Sequence, residues 1–345
     1  MKNSKRLIRN LIVFIILIIT TFLVVFQGQD ISELIDIILN VNKTYVLFGI
    51  VCMALYFIFE SLNIKSILKS LGNKVDFSSM MRYSLVEFFF SGITPAASGG
   101  QPMEIYYMHK EGIPIPKATV SLLIQLICFQ IITIICGIVG AIINYNFIKD
   151  GLIWLFIFGV SLNLIALLTM MVCLFSNSLA KKIVNFVVKI LSKLKYKNVD
   201  KIKENLNDTL KSYNDSSKII RKHKSVYLKS FFIVLCQVIA YYSITYFVYK
   251  AFGLNEYNYL QILSIQAMLY VSVSSMPLPG AVGISEGAFL GIYHHVFGAN
   301  ILSGATILNR TINFYFYIII GLICTLVSAL KLELKNEETK KGQIS

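Results

Sequence analysis

Long apolar runs divide this chain into segments that each have the length of a membrane-spanning helix. The run LIVFIILIITTFLVVF (11–26) contains no charged residue, and neither does the longer run 151–175. About 20 apolar residues in a helix are enough to cross the hydrocarbon core of a bilayer. The pattern predicts full spans at 7–27, 44–64, 117–145, 151–176, 227–252 and 303–330.

Two further apolar stretches, 80–93 and 258–276, run into short segments rich in proline and small residues. We call TPAASGGQPMEIYYMHKEGIPIP (94–116) the first box and MPLPGAVGISEGAF (276–289) the second box, and together they hold all six prolines. Proline stops a helix, and glycine lets the backbone reverse in little space. Each box is therefore expected to be the tip of a re-entrant helical hairpin.

The two boxes look like copies of one unit. Pro95 precedes Glu104 by nine positions, and Pro277 precedes Glu286 by the same nine. Basic residues flank the first box, whereas 251–309 contains no Lys or Arg. Because basic residues favour the cytoplasmic side, the first hairpin is expected to enter from the cytoplasm and the second from outside. Such inverted repeats are common in transporters; the alternative is two ordinary proline-rich surface loops.

Composition supports the membrane assignment. Charged residues make up 14% of the chain, hydrophobic residues 56%, and the mean hydropathy is +0.69. A soluble domain has about 25% charged residues. The predicted fold is an all-α polytopic membrane protein, a single integral membrane domain over 1–345. It has about six full spans plus two proline-broken re-entrant helical hairpins, near 80–116 and 258–300, in inverted repeat.

Charge distribution predicts the orientation. Residues 177–230 hold fourteen Lys or Arg and four Asp or Glu, so this region is expected in the cytoplasm together with both chain termini, including the tail 331–345. Within the segment 177–226, an amphipathic helix near 183–194 would lie on an anionic leaflet; the alternative is a solvated linker. The basic residues sit between spans without interleaved aromatic residues, which argues against nucleic acid as a partner.

Three charged residues are expected at membrane depth: Glu104, Glu286 and Arg310. Such charges are costly and usually face a cavity or a partner. A structural ion pair is the alternative to a functional role. The four histidines and six cysteines form no metal-ligand grouping along the chain, so neither a metal nor a cofactor is expected.

Both boxes and the segment LNRTINFYFYIIIG of the last span together resemble the transmembrane domain of bacterial lysylphosphatidylglycerol synthases, the multiple peptide resistance factors. That domain also occurs alone as flippase-like membrane proteins. The resemblance covers nearly the whole chain. It implies a translocase in the bacterial plasma membrane, moving an anionic or aminoacylated phospholipid between leaflets, and a connection to cationic peptide resistance.

The resemblance also implies a lipid-binding and translocation site. Residues of the boxes and of the last span are expected to form it: Gly99, Gly100, Gln101, Glu104, Gly280, Gly283, Glu286 and Arg310. Four prolines are expected to break the helices: Pro95, Pro102, Pro277 and Pro279. Ala281 departs from a Gly-Gly pair common in the family, and Glu104 replaces a residue that is often basic or an amide there.

The synthases carry a soluble aminoacyl-transfer domain after the last span, whereas 15 residues follow Leu330 here. The chain is therefore not expected to be an enzyme by itself. Two alternatives to a translocase are part of a phosphatidylglycerol lysyltransferase system with a separate catalytic domain, and a structural or regulatory membrane subunit. Expected partners are a membrane phospholipid, a second copy in a homodimer, and a separate lipid-modifying enzyme.

The similar predicted depth of Glu286 and Arg310 gives the sharpest expectation. Arg310 would bind a lipid phosphate through its planar donor fork. Glu286 would hold a lipid amine, or pair with Arg310 while no lipid is bound.

Overall fold

The computed structural model describes residues 39–145, 152–175, 199–222 and 224–341. Within these ranges the chain is helical, with turns and no β-strand. In chain order the helices are α1 (Lys43–Ser70), α2 (Phe77–Ile93), α3 (Gly100–Lys110), α4 (Ile115–Ile143), α5 (Leu152–Phe175), α6 (Val199–Lys222), α7 (Lys224–Ala251), α8 (Tyr259–Val273), α9 (Ile284–Phe297), α10 (Ala299–Arg310) and α11 (Phe316–Lys341).

Five helices of the described residues have the length and hydropathy to cross a bilayer. They are α1, α4, α5, α7 and the continuous stretch Ala299–Leu330 formed by α10 and α11. They confirm five of the six predicted spans; the first, 7–27, lies outside the described residues. Helix α5 leaves large side chains such as Trp154 and Ile165 exposed, as a surface facing lipid tails requires.

The amphipathic helix next to the membrane spans is α6. Its Tyr213 and Ser217 donate hydrogen bonds to the carbonyls of Cys173 and Leu174, at 2.9 and 2.8 Å. These carbonyls belong to the last turn of α5, where no intrahelical donor remains. Helix α6 is therefore docked against the end of a span. The lysine-rich stretch predicted as an amphipathic helix at 183–194 lies outside the described residues.

The first box folds as a helix, a tight turn and a second helix. Helix α2 begins at a cap in which Asp76 accepts a hydrogen bond from the Ser78 amide at 2.9 Å. It ends at Ile93, and the three-residue turn Pro95–Ala97 leads into α3. At 1.5 Å per residue α3 is about 16 Å long, too short to cross a hydrocarbon core of about 30 Å.

The second box has the same architecture. Helix α8 starts at a capping box formed by Asn258 and Gln261. The turn Pro279–Ala281 then connects it to α9. Helices α8 and α9 contain 15 and 14 residues, so neither is long enough to span the bilayer. Both boxes are therefore helical hairpins with short arms, as predicted.

The two turns share a backbone conformation that fixes their register. Ala96 and Ala97 have φ of 52° and 53°, and Gly280 and Ala281 have φ of 58° and 51°. Left-handed backbone costs a residue with a side chain about 1–2 kcal/mol. Its occurrence in the same two places of both turns shows that the turns are equivalent.

This equivalence corrects the alignment made from proline spacing. The turns pair Pro95 with Pro279, not with Pro277, and they pair the helix caps Gly99 and Gly283. The sequence alignment was wrong by two residues because it matched proline–glutamate spacing instead of backbone conformation. Glu104 and Glu286 are therefore not equivalent residues of the two boxes.

The two turns pack against each other. Around them, α1 packs on α7, α4 on α8, and α2 on α11. The packed interior includes aromatic side chains such as Phe289 and Tyr293, whose rings stack with centroids 4.3 Å apart. The fold thus brings two helix-breaking segments, distant in sequence, to one place.

Candidate functional site

A cavity of about 210 Å³ lies where the two turns meet. Residues of both turns line it, together with Tyr241 of α7, Tyr270 of α8 and Arg310 at the end of α10. Irregular backbone is tolerated at membrane depth where it is buried in protein or lines a wet cavity. The position of the cavity therefore gives a physical reason for the broken helices.

Arg310 is the cation of this cavity wall. Its Nε lies 2.8 Å from Oε1 of Glu286, and the two side chains are 11% and 4% exposed. The separation is that of an ion pair, but the N–H does not point along it as in an aligned hydrogen bond. Nη2 donates to the carbonyl of Gly280. The predicted proximity of Glu286 and Arg310 is confirmed.

The ring of Phe314 supports the guanidinium from its face. The guanidinium carbon of Arg310 lies 4.0 Å from the ring centroid, within the range of a cation–π interaction. The same ring explains the small residue in the second turn: a Cβ on Gly280 would lie 2.3 Å from Phe314. Arg310 is therefore fixed by a carboxylate, a carbonyl and an aromatic face.

Glu286 is held by the start of α9 as well as by Arg310. Its Oε2 accepts hydrogen bonds from the Gly283 amide at 2.7 Å and from the Ser285 hydroxyl at 2.8 Å. Gly283 has φ of 87°, a conformation that favours glycine. A carboxylate at a helix N-terminus is also stabilised by the helix dipole. Glu286 therefore has partners that do not depend on Arg310.

A π-helical segment, Thr311–Tyr315, follows Arg310 and interrupts the last span. Such insertions into a helix are frequent at functional sites. Here the segment brings Asn313 and Phe314 to the cavity wall. Among the described residues, the buried Oδ1 of Asn313 has no hydrogen-bond partner. It is an acceptor available to a ligand in the cavity.

Neutral polar groups form another side of the cavity. Oε1 of Gln266 lies 3.0 Å from the Thr245 hydroxyl and 3.2 Å from the Tyr293 hydroxyl. The same Thr245 hydroxyl lies 3.1 Å from Oδ1 of Asn309. Gln266 and Asn309 line the cavity beside apolar residues such as Leu269. The space is thus suited to a ligand with polar and apolar parts.

The residues predicted for the site separate into two groups. Gly280, Glu286 and Arg310 line the cavity. The others do not line it: Gly99, Gly100, Gln101, Glu104 and Gly283. Gly283 acts through Glu286, whose carboxylate its amide binds.

Gly99 and Gly100 have packing roles in the first box. The Gly99 amide donates to the Thr94 hydroxyl at 2.9 Å. A Cβ on Gly100 would lie 2.0 Å from Oγ of Ser91, so the absence of a side chain lets α3 approach α2 closely. These glycines set the shape of the hairpin rather than the chemistry of the cavity.

The prolines differ in what they do. Pro95 and Pro279 each begin a turn, and Pro277 lies just before the second turn. Pro102 lies instead in the first turn of α3, where a missing N–H loses no intrahelical hydrogen bond. It therefore helps a helix to begin, and it does not break one.

Glu104 is buried with 1% exposure, and its Oε1 has no hydrogen-bond partner among the described residues. Nearby, Glu87 accepts hydrogen bonds from Ser91 at 2.6 Å and from Gln101 at 3.1 Å. Glu87 is not among the residues predicted for the site. Contact with Gln101, which belongs to another helix, could not be inferred from sequence spacing.

Glu60 is a second acidic residue that sequence reasoning missed. It is 8% exposed and lies inside α1, a confirmed candidate span. A lone acid within an apolar span is a sufficient signal, because intramembrane charges are functional candidates by default. By contrast, Arg82 and Glu111 form a 3.1 Å ion pair with side chains 19% and 27% exposed. That pair lies nearer the protein surface.

Comparisons with known proteins agree with this architecture. A family model described as the lysylphosphatidylglycerol synthase TM region matches residues 9–321. A UPF0104 membrane protein of Archaeoglobus fulgidus is 21% identical over 313 residues, covering 88% of this chain and 93% of that protein. The family connects the chain, a multi-pass membrane protein, with a lipid-related role in the membrane. Because the match extends over nearly the whole sequence, the chain belongs to the lysylphosphatidylglycerol synthase TM region family.

Proposed function

We propose that the protein moves a phosphate-bearing lipid between the two leaflets and that Arg310 binds the phosphate during the passage. The observation that carries the proposal is the position of Arg310. It is a guanidinium with 11% exposure on the wall of a cavity where two broken helices meet. A charge buried at this depth is expensive and usually serves a substrate path.

The geometry around Arg310 would let the guanidinium change its partner from Glu286 to the phosphate of a lipid. Without a ligand, Glu286 neutralises the charge of the guanidinium, and the Gly283 amide at the start of α9 donates a hydrogen bond to Glu286. A phosphate entering the cavity would compete for the donor fork of Arg310, which suits two oxygens of one phosphate. Glu286 would keep its amide and hydroxyl partners, so neither charge would be left without a partner during the exchange.

The size of the cavity limits which part of a lipid it holds. Its volume of about 210 Å³ is below the roughly 300 Å³ at which pockets for drug-sized ligands begin. A phosphate with a small attached group fits this space, whereas two acyl chains do not. The acyl chains would stay in the bilayer while the headgroup passes. Phosphatidylglycerol and its aminoacylated forms have headgroups of this chemistry.

Reconstitution tests the proposal. The purified protein is placed in vesicles of phosphatidylcholine and phosphatidylglycerol that contain fluorescent phosphatidylglycerol, and exchange between leaflets is followed by a quencher added outside. Arg310→Ala is expected to slow the exchange by at least about thirtyfold, since losing one partner of a buried charge pair costs about 2 kcal/mol or more. Arg310→Lys should restore part of it, because a point charge replaces a bidentate one.

Arg82→Gln is the matched control, because Arg82 also pairs with a glutamate but is more exposed. Its exchange rate should equal that of the unchanged protein. Normal exchange by a folded Arg310→Ala variant would disprove the phosphate role. If Arg310→Ala does not fold, the double variant Glu286→Gln with Arg310→Gln distinguishes a structural role of the pair from a role in transport. Folding with transport would make the pair structural, and folding without transport would support the proposal.

A further inference from the structure

Three carboxylates from three different helices of the first half of the chain form an acidic cluster. Glu60 comes from α1, Glu87 from α2 and Glu104 from α3. Glu60 and Glu104 are 8% and 1% exposed. Gln101, one turn before Glu104, donates a hydrogen bond to Glu87 at 3.1 Å. Beside Glu60 and Glu87, α1 packs on α2, with the Phe57 and Phe88 ring centroids 5.2 Å apart and the Ser61 and Ser84 hydroxyls 3.3 Å apart. Like charges therefore gather at a buried place.

The ion pairs of the described residues join Arg82 with Glu111, Lys218 with Asp215 and Arg310 with Glu286, so none of them includes a member of this cluster. The titratable groups next to it are tyrosines. Tyr56 lies one turn before Glu60 on α1, and the ring of Tyr241 of α7 lies 5.6 Å from that of Tyr56 and 5.4 Å from that of Tyr270 of α8. Tyr241, Tyr270 and Arg310 all line the cavity.

Several oxygens of the cluster lack hydrogen-bond donors in the described part of the chain. They are Oε2 of Glu60, Oε1 of Glu104 and Oε1 of the adjacent Gln101. An ionised carboxylate buried without donors or a cation is far less stable than its neutral form. Two neighbouring carboxylates in such a place share protons instead of both ionising. Buried oxygens without donors thus point to a proton as the ligand.

The acidic cluster is in contact with the cavity through Ser91. Ser91 lines the cavity, and its hydroxyl donates to Oε1 of Glu87 at 2.6 Å. A Cβ on Gly100 would lie 2.5 Å from the same Oε1, so the Glu87 carboxylate sits at the joint between α2 and α3. A change in its charge would alter the hydrogen bonds that hold the first box together.

We propose that Glu60, Glu87 and Glu104 form a proton-binding site that couples lipid movement to proton movement. The proposal rests on the function proposed above. A proton on Glu87 weakens the hydrogen bonds from Ser91 and Gln101, because a neutral carboxyl is a poorer acceptor than a carboxylate. The first box then shifts relative to the second, where the phosphate is bound. Each cycle takes up one proton on one side of the membrane and releases it on the other.

Gradient-driven transport tests the coupling. Vesicles of phosphatidylcholine with fluorescent phosphatidylglycerol receive a pH difference of one unit, with potassium and valinomycin holding the membrane potential at zero. The unchanged protein should accumulate labelled lipid in one leaflet, up to about tenfold for one proton per lipid. Glu60→Gln and Glu104→Gln should abolish the accumulation. Glu256→Gln, which alters an exposed loop carboxylate, should preserve it.

The result that overturns the coupling is lipid exchange by the unchanged protein that ignores the pH difference, or accumulation that survives both substitutions. If no lipid crosses at all, the proposed function fails, and the proton site is judged by infrared spectroscopy of the protein in the same vesicles. A band of protonated carboxyl groups at neutral pH should be present and should disappear when all three glutamates become glutamine. An identical band in that triple variant and in the unchanged protein would refute the proton site.

Discussion

The two boxes share a turn with two left-handed residues but differ in their electrostatics. In the second box, Glu286 has a cation, an amide and a hydroxyl as partners. In the first box, Glu104 is buried as deeply, and its Oε1 has no hydrogen-bond partner among the described residues. The repeated element is thus the turn, which opens a cavity. The charge placed beside each turn gives the two halves different chemistry.

The difference lies partly outside the boxes themselves. The cation that pairs with Glu286 is Arg310 of the last span, and no ion pair of the described residues includes Glu104. In the functions proposed above, Arg310 on the cavity wall would attract a phosphate, and the acids behind Ser91, which do not line the cavity, would respond to protons. Buried charges of either sign are costly, which makes them candidates for a functional role.

The largest effect is expected when the charge balance of the second box is broken. Glu286→Gln leaves Arg310 buried with a neutral partner, and we expect the free energy of unfolding to fall by about 3 kcal/mol. Glu111→Gln removes a glutamate from a more exposed ion pair and should cost about 0–1 kcal/mol. Chemical denaturation of both variants in detergent measures the difference. Equal losses would show that burial does not distinguish the two pairs.

A smaller loss is expected from filling the joint of the first box. In Gly100→Ala the new Cβ would meet Oγ of Ser91 at 2.0 Å, and forcing the helices apart should cost about 1–3 kcal/mol. Gly287→Ala is the control, because nothing lies within 4 Å of a Cβ there. That helix position should gain up to about 1 kcal/mol. Thermal unfolding compares the two, and a stable Gly100→Ala would show that the hairpin tolerates separation.

Relieving left-handed backbone in the second turn should stabilise the protein modestly. Ala281 has φ of 51°, so Ala281→Gly should raise the free energy of unfolding by about 0.5–1 kcal/mol. Ala288→Gly, in the regular helix α9, should lower it by about 1 kcal/mol. Thermal unfolding of both variants measures the two changes in the free energy of unfolding, which should have opposite signs. A loss at Ala281 would mean that its side chain contributes packing that outweighs the strain.

The smallest effect on stability is expected at the acid of the first box. Glu104→Gln keeps the shape of a protonated glutamate, so the free energy of unfolding should change by less than about 0.5 kcal/mol. The same substitution at Glu286 removes an ion pair, which makes the two variants a direct comparison of the boxes. A loss at Glu104 as large as at Glu286 would show that Glu104 is ionised and has a cationic partner.

Much of the architecture could be predicted because apolar length and proline position act locally. Runs of about 20 apolar residues predicted five spans that the structure contains. Proline and glycine clusters predicted both hairpins. The register of the repeat was not predictable, because Pro277 and Pro279 are equally able to end a helix. Only the φ angles show which of them begins the turn.

The sequence by itself determined which segments are long enough to cross the membrane and where their helices must break, since both properties follow from local chain chemistry. The ion pair of Glu286 with Arg310 could be anticipated from the similar depth of the two residues. The hydrogen bond from Arg310 to the Gly280 carbonyl could not. The meeting of Glu60, Glu87 and Glu104 was decided only by tertiary structure. Three helices must pack before three distant carboxylates share one space, and no spacing along the chain records that packing.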